Sequence, residues 1–265
     1  MVRCGPAAGS CTGLNSKTTA SLRSLWGSDA NTVYGVGYGG ALVRCSSAAS
    51  DCLPLPSGTT ASRGASIGSL TAAWGDRDNL YTVGEYGTIV RCRSDGSNCA
   101  ALISPSQYSF ADVWGIDVNN VYVVGNGGSL VRCAGDSCTN LTVGGQSATQ
   151  PFGMVWGSDL GHVYAVGLMG SIVHCTAGSP SCVALTTTES DGFKAQNFAA
   201  VWGTDPDHVF AVGSHRAVAL CDRSSYRALA PLGMPNLTAV RGTDADHVFA
   251  VGEACLLYTS DAADE

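Results

Sequence analysis

Short apolar runs recur along the chain, each closed by a glycine. Val33-Tyr34-Gly35-Val36 is one, and Val121-Tyr122-Val123-Val124 is another. A half-exposed strand alternates polar and apolar residues, whereas these runs are apolar on both sides and so predict strands covered on both faces. β-Branched and aromatic residues dominate, and Gly, Asp, Asn and Pro punctuate. No segment keeps a helical period over ten residues, so the pattern predicts an all-β chain.

The runs belong to a longer repeat. Trp-Gly begins at Trp26, Trp74, Trp114, Trp156 and Trp202, and a sixth copy reads Arg241-Gly242. The intervals are 48, 40, 42, 46 and 39 residues. After Trp26 come Val-Tyr-Gly-Val-Gly and then Gly-Ala-Leu-Val-Arg-Cys, and the copies after Trp114 and Trp156 follow the same order. Each unit reads as four strands: A over 22–26, B over 33–37, C over 41–45 and D over 52–55 in the first copy. Four antiparallel strands in 40–48 residues, with two-sided burial, predict a β-propeller blade, with a solenoid or an open stack of sheets as the alternative. The Trp residues, set between apolar neighbours such as Val113 and Val201, are expected in the core between blades rather than as a sugar-stacking series.

The unit Trp-Gly-x-Asp-x-x-x-Val-Tyr-x-Val-Gly-x-x-Gly-x-Leu-Val-Arg-Cys resembles the Trp-Gly propeller repeats of secreted and surface proteins of myxobacteria and their relatives. That resemblance covers nearly the whole chain and implies a fold, with little said about activity. The blade boxes of WD, sialidase and Kelch propellers match less well.

Met1-Val2-Arg3-Cys4 repeats the Leu-Val-Arg-Cys of strand C. The expected organisation is one propeller domain over 1–254: a partial blade over 1–16, five repeats over about 17–230 and a partial blade over 231–254. Residues 255–265 depart from the repeat where strand C is due and resemble translated sequencing adapter, so they are read as a non-native tail. Strands at the start could complete those at the end and close a ring of six blades. Alternatively, the segment is an open arc of a propeller with more blades.

Charge narrows the partners. Net charge is −7, with only Lys17 and Lys194 as lysines, so the basic footprint of a nucleic-acid binder is missing. No apolar run approaches the ~20 residues of a membrane span.

The cysteines point to a compartment. Cys4/Cys11, Cys45/Cys52, Cys92/Cys99 and Cys175/Cys182 lie seven apart, and Cys133/Cys138 five apart. Each pair flanks a C–D turn, where facing residues of an antiparallel pair can be bridged. A zinc site needs three or four converging ligands, and these pairs belong to separate repeats. Local disulfides, each contributing about 2–2.5 kcal/mol, are therefore expected. They imply an extracellular, cell-surface or periplasmic protein. Cys221 finds Ala seven residues on.

Catalytic signals are weak. Asp29, Asp117, Asp159, Asp205 and Asp244 share one repeat position and read as turn caps. His162, His208 and His247 share another and read as rim residues rather than metal ligands. No phosphate loop, nucleophile elbow or zinc-protease motif is present, and no cofactor or metal is expected. Glu85 with His215 is the one thin acid–base candidate. Variation between copies concentrates instead in the B–C turns and D–A connections, which emerge on one face of the sheets. Tyr38, Glu85, Tyr86, Asn126, Met169 and His215 are the candidate ligand-face residues. The expected function is a non-enzymatic, monomeric binding or scaffold module for protein or glycan. A structural repeat without a specific ligand, or a propeller hydrolase or lyase, are the alternatives.

Overall fold

The computed structural model describes the chain except residues 5–10, 30–31, 47–50, 58–67, 145–149, 190, 195, 230–234, 254–256 and 261–265. The D–A connections expected around 57–68, 144–150 and 187–196 fall partly outside the described residues. So do Cys255, most of the tail and the side chain of Cys4. The chain forms two compact units, Met1–Val121 with Cys133–Thr139, and Tyr122–Arg132 with Asn140–Glu265.

Consecutive antiparallel sheets repeat the same strand order. In the first repeat the strands are Leu22–Asp29, Thr32–Gly37, Leu42–Cys45 and Leu53–Pro54. In the second they are Leu70–Gly75, Asn79–Gly84, Ile89–Arg93 and Ala100–Ala101. The fourth and fifth repeats have the same plan, with strand A at Phe152–Asp159 and Phe198–Asp205. Strand A runs past the Trp in these three repeats because a bulge after the Trp-Gly pair keeps it in register with strand B. Among the described residues one short α-helix, Asp191–Lys194, stands in a D–A connection and buries Phe193 against Phe198 and Tyr226.

Strand B is buried on both faces, as its composition requires: Val121 to Val124 are wholly inaccessible. The cores lie between successive sheets. Tyr34, Val36 and Leu42 of the first sheet meet Leu70, Leu80 and Val90 of the second. Tyr164, Val166 and Ile172 of the fourth meet Val201, Val209 and Ala211 of the fifth.

The structure gives the Trp-Gly pair a physical meaning. A Cβ at Gly115 would lie 2.8 Å from the Trp74 ring, and one at Gly75 would lie 2.9 Å from the Trp26 ring. Gly203 and Gly242 stand in the same relation to Trp156 and Trp202. These four indoles thus each cover the glycine that follows the next copy of their own position, and any side chain there would displace them. Arg241, in the sixth Trp position, is exposed.

Disulfides join Cys45–Cys52, Cys92–Cys99, Cys133–Cys138 and Cys175–Cys182, with Cα separations of 4.0–4.3 Å. Cys11 is also disulfide-bonded and lies directly opposite Cys4. Cys221 is a buried free thiol, and the residue facing it is Tyr226, five on, rather than the Ala seven on. The turn here matches the short one of Cys133–Cys138.

Two arrangements lie outside the repeat pattern. Thr142–Gly144, leaving the third repeat, adds a parallel fifth strand beside Ser181–Ala184 of the fourth. Asn15 with Asp51, and Thr186 with Ser225, make the same step with single bridges. At the far end, Leu257–Ser260 pairs with Val248–Gly252 and takes the place of strand C.

Candidate functional site

The B–C turns share one backbone. In each, the fourth residue's N–H bonds to the first residue's carbonyl: Ala41 to Tyr38, Thr88 to Glu85, Ser129 to Asn126, Ser171 to Leu168 and Ala217 to Ser214. Both central residues have positive φ, the type I′ geometry that favours glycine. Gly39-Gly40 and Gly127-Gly128 obey that preference. Tyr86, Met169, His215 and Arg216 do not, at φ of 58°, 55°, 52° and 57°.

In the first unit, Tyr38 is the first residue of its turn, and the Arg23 guanidinium lies 4.8 Å over its ring. Glu85 accepts the Ser69 N–H at 2.9 Å. Tyr86 is 66% exposed. Its turn abuts the D–A connection at Ser106 and Gln107, whose neighbour Tyr108 is also exposed. In the second unit, Met169 is 61% exposed and its N–H bonds the Asn197 side chain at 3.1 Å. His215 bonds Gln196 through Nδ1 at 2.8 Å and Asn236 through its N–H at 3.0 Å. Asn126 opens the turn over Gly127-Gly128. Glu85 and His215 thus have separate local partners.

A rule governs these tips. The N–H of the left-handed residue is held by the side chain just before strand A of the following repeat, Ser109, Asn197 or Asn236. The scaffold therefore imposes the left-handed backbone, and the residue placed there is free to vary. Gly39 and Gly127 align with Tyr86, Met169 and His215, the variation between copies that singles out these turns in the sequence.

On the other edge of the sheets, the repeated aspartates close the A–B turns. Asp76, Asp117, Asp159, Asp205 and Asp244 each accept a backbone N–H two residues on. His162, His208 and His247 each bond the Asp three residues before them, at 2.7, 2.9 and 2.6 Å. Among the described residues, no three His, Cys, Asp or Glu side chains gather as metal ligands. For Asp159 and Asp205, burial pushes the carboxyl pKa up, but hydrogen bonds from His, backbone and hydroxyl outweigh it and hold the group below its ordinary value. For Asp244 the His247 hydrogen bond leads in the same direction. A carboxyl with a depressed folded-state pKa stabilises above its unfolded value, and that contribution disappears as pH falls through the folded one. The melting temperature of the oxidised protein is therefore expected to hold from pH 7 to about 4.5 and fall below about 4. The triple variant Asp159→Asn, Asp205→Asn, Asp244→Asn should show a shallower fall, and an identical acid limb would refute the assignment.

No family model matches the chain, and no curated protein matches it. Solved structures do. The chain is similar to YCF48 in a structure described as bound to D1 peptide, with 16% identity over 94% of this chain and 81% of that one, at a TM-score of 0.66. It is similar to virginiamycin B lyase from Staphylococcus aureus, with 10% identity over 95% and 88% and a TM-score of 0.67. The computationally designed protein Ika8 aligns with 13% identity over 94% and 74% and a TM-score of 0.70. At these identities the likeness shows the fold: the four-stranded antiparallel sheets are those of a β-propeller.

Proposed function

We propose that this chain is an extracytoplasmic, non-catalytic binding module that engages a protein partner through its B–C turn tips. The observation that carries the reading is the left-handed backbone at Tyr86 and Met169. A bulky residue there costs roughly 1 kcal/mol relative to glycine, and Gly39 and Gly127 show that glycine serves the same turn. Large apolar side chains kept at that cost, and left exposed, fit a contact surface on each unit. The disulfides support an oxidising compartment. A neighbour of the same fold is described as bound to a peptide.

Binding and stability should separate in one experiment. Tyr86→Gly and Met169→Gly are expected to leave stability unchanged or raise it by about 0.5–1 kcal/mol. Peptides selected from a displayed random library on the oxidised protein should lose tenfold or more in affinity for these variants. Selected peptides that bind both variants and the parent equally would place the surface elsewhere.

A further inference from the structure

The edge of the first unit opposite the B–C turns holds a cleft that the turn tips do not explain. It lies between the first and second sheets, has a volume of about 510 Å³, and is lined by Trp26, Asp29, Arg44, Asp76, Arg77 and Asp95. Arg44 and Tyr34 face each other across strands B and C, and Tyr34 stacks on Trp26 at 5.9 Å.

The equivalent place in the next repeat is closed. There Arg91 is tied at Nε and Nη2 to Asn79, at 3.1 and 2.7 Å, and at Nη1 to Asp136, at 2.7 Å. Tyr81 donates to the Gly135 carbonyl at 2.9 Å. In the first repeat Thr32 stands where Asn79 does, with no amide oxygen to offer. Among the described residues, the Arg44 Nε and the Tyr34 hydroxyl are both buried and have no hydrogen-bond partner. Tyr34 is 0% exposed. Burial raises its pKa, and its ring lies against Arg44 and Trp26, which line the cleft. A buried donor without a partner costs about 1–3 kcal/mol, and the Arg44 side chain that carries one of the two lines the cleft.

The chemistry of the lining selects the ligand. Two guanidiniums and three carboxylates interleave with the hydroxyls of Ser28, Thr32 and Ser94 around an indole. A polyanion would meet the carboxylates, and a polycation the guanidiniums. A neutral polyol can donate to the carboxylates and hydroxyls and accept from Arg44 and Arg77. We infer that the cleft beside Trp26 and Arg44 is a binding site for a neutral saccharide, separate from the turn-tip surface.

The test is calorimetric titration of the oxidised full chain with chitotriose, maltotriose and cellotriose, alongside sialyllactose and spermine. Saturable binding of a neutral trisaccharide is expected. Arg44→Ala should weaken it at least tenfold. Thr32→Asn, which supplies the acceptor that Asn79 gives Arg91, should weaken it as much while keeping or raising the melting temperature. Tyr86→Gly should leave it unchanged. Absence of binding by all three trisaccharides, binding that survives both Arg44→Ala and Thr32→Asn, or binding confined to sialyllactose or spermine would each overturn the inference.

Discussion

Gly84→Ala is expected to cost more than 3 kcal/mol, and to leave little soluble folded protein. A Cβ at Gly84 would fall far inside contact distance of the Ser69 carbonyl oxygen and 3.0 Å from the Leu70 Cα. Both are backbone atoms, fixed by the hydrogen bond from Glu85 N–H to that carbonyl. The backbone at Gly84 is extended, at φ −174°, so the obstacle is space rather than handedness. Gly37, Gly167, Gly213 and Gly252 face the same crowding at the end of strand B, so strands A and B approach each other alike at all five of these glycines. Ordinary overpacking costs about 1–3 kcal/mol through side chains that can yield, and backbone yields less. Total stability is only about 5–15 kcal/mol. Gly39→Ala is the control: its φ is +61° but nothing lies within 4 Å, so only the left-handed penalty of roughly 1 kcal/mol applies. Urea unfolding of both variants decides the matter, and a Gly84→Ala protein within 1 kcal/mol of the parent would refute the close-approach account.

At Tyr226 two large effects oppose each other. Its ring fills the space among Phe193, Phe198 and Leu185, so Tyr226→Ala is expected to cost about 3–5 kcal/mol. Tyr226→Cys places a second thiol opposite Cys221 at the five-residue spacing that Cys133 and Cys138 already bridge. Closing so short a loop returns about 2 kcal/mol. The oxidised Cys variant should therefore lie about 2 kcal/mol above the Ala variant and still below the parent, and reduction should erase the difference. Burial raises the Cys221 thiol pKa, so in the parent it should stay inert to alkylation until the protein unfolds. Tyr226→Cys and Tyr226→Ala of equal stability under oxidising conditions would show that no bridge forms.

The repeat, the four-strand unit and the bridges are legible in the sequence because all three rest on local signals. Two-sided burial is written in Val121 to Val124, and the bridges in cysteine spacing near a turn. What is not legible there depends on the neighbouring copy. The glycine of Trp-Gly is conspicuous, but the indole that requires it comes from the preceding repeat. Tyr226 replaces a bridge partner only because its turn is two residues shorter, which strand register shows and spacing does not. Tyr86 and Met169 were legible as variable turn residues, whereas their left-handed backbone is set by Ser109 and Asn197 of the following repeat. The cleft at Arg44 turns on one exchange, Thr32 for Asn79, that no motif marks.

The bridges and the parallel steps divide the work of holding the chain under tension. The four described disulfides each join strands that are already neighbours in sequence, and these four do not cross from one sheet to the next. The backbone links from sheet to sheet, at Asn15 with Asp51, Thr142 with Ser181 and Thr186 with Ser225, are non-covalent, as are the apolar cores between the sheets. A chain drawn out by its ends would yield sheet by sheet at these seams. Each seven-residue bridge would withhold about 20–25 Å of the length its sheet could release. Oxidation thus sets how far such a chain can extend, and the seams set the force at which it begins.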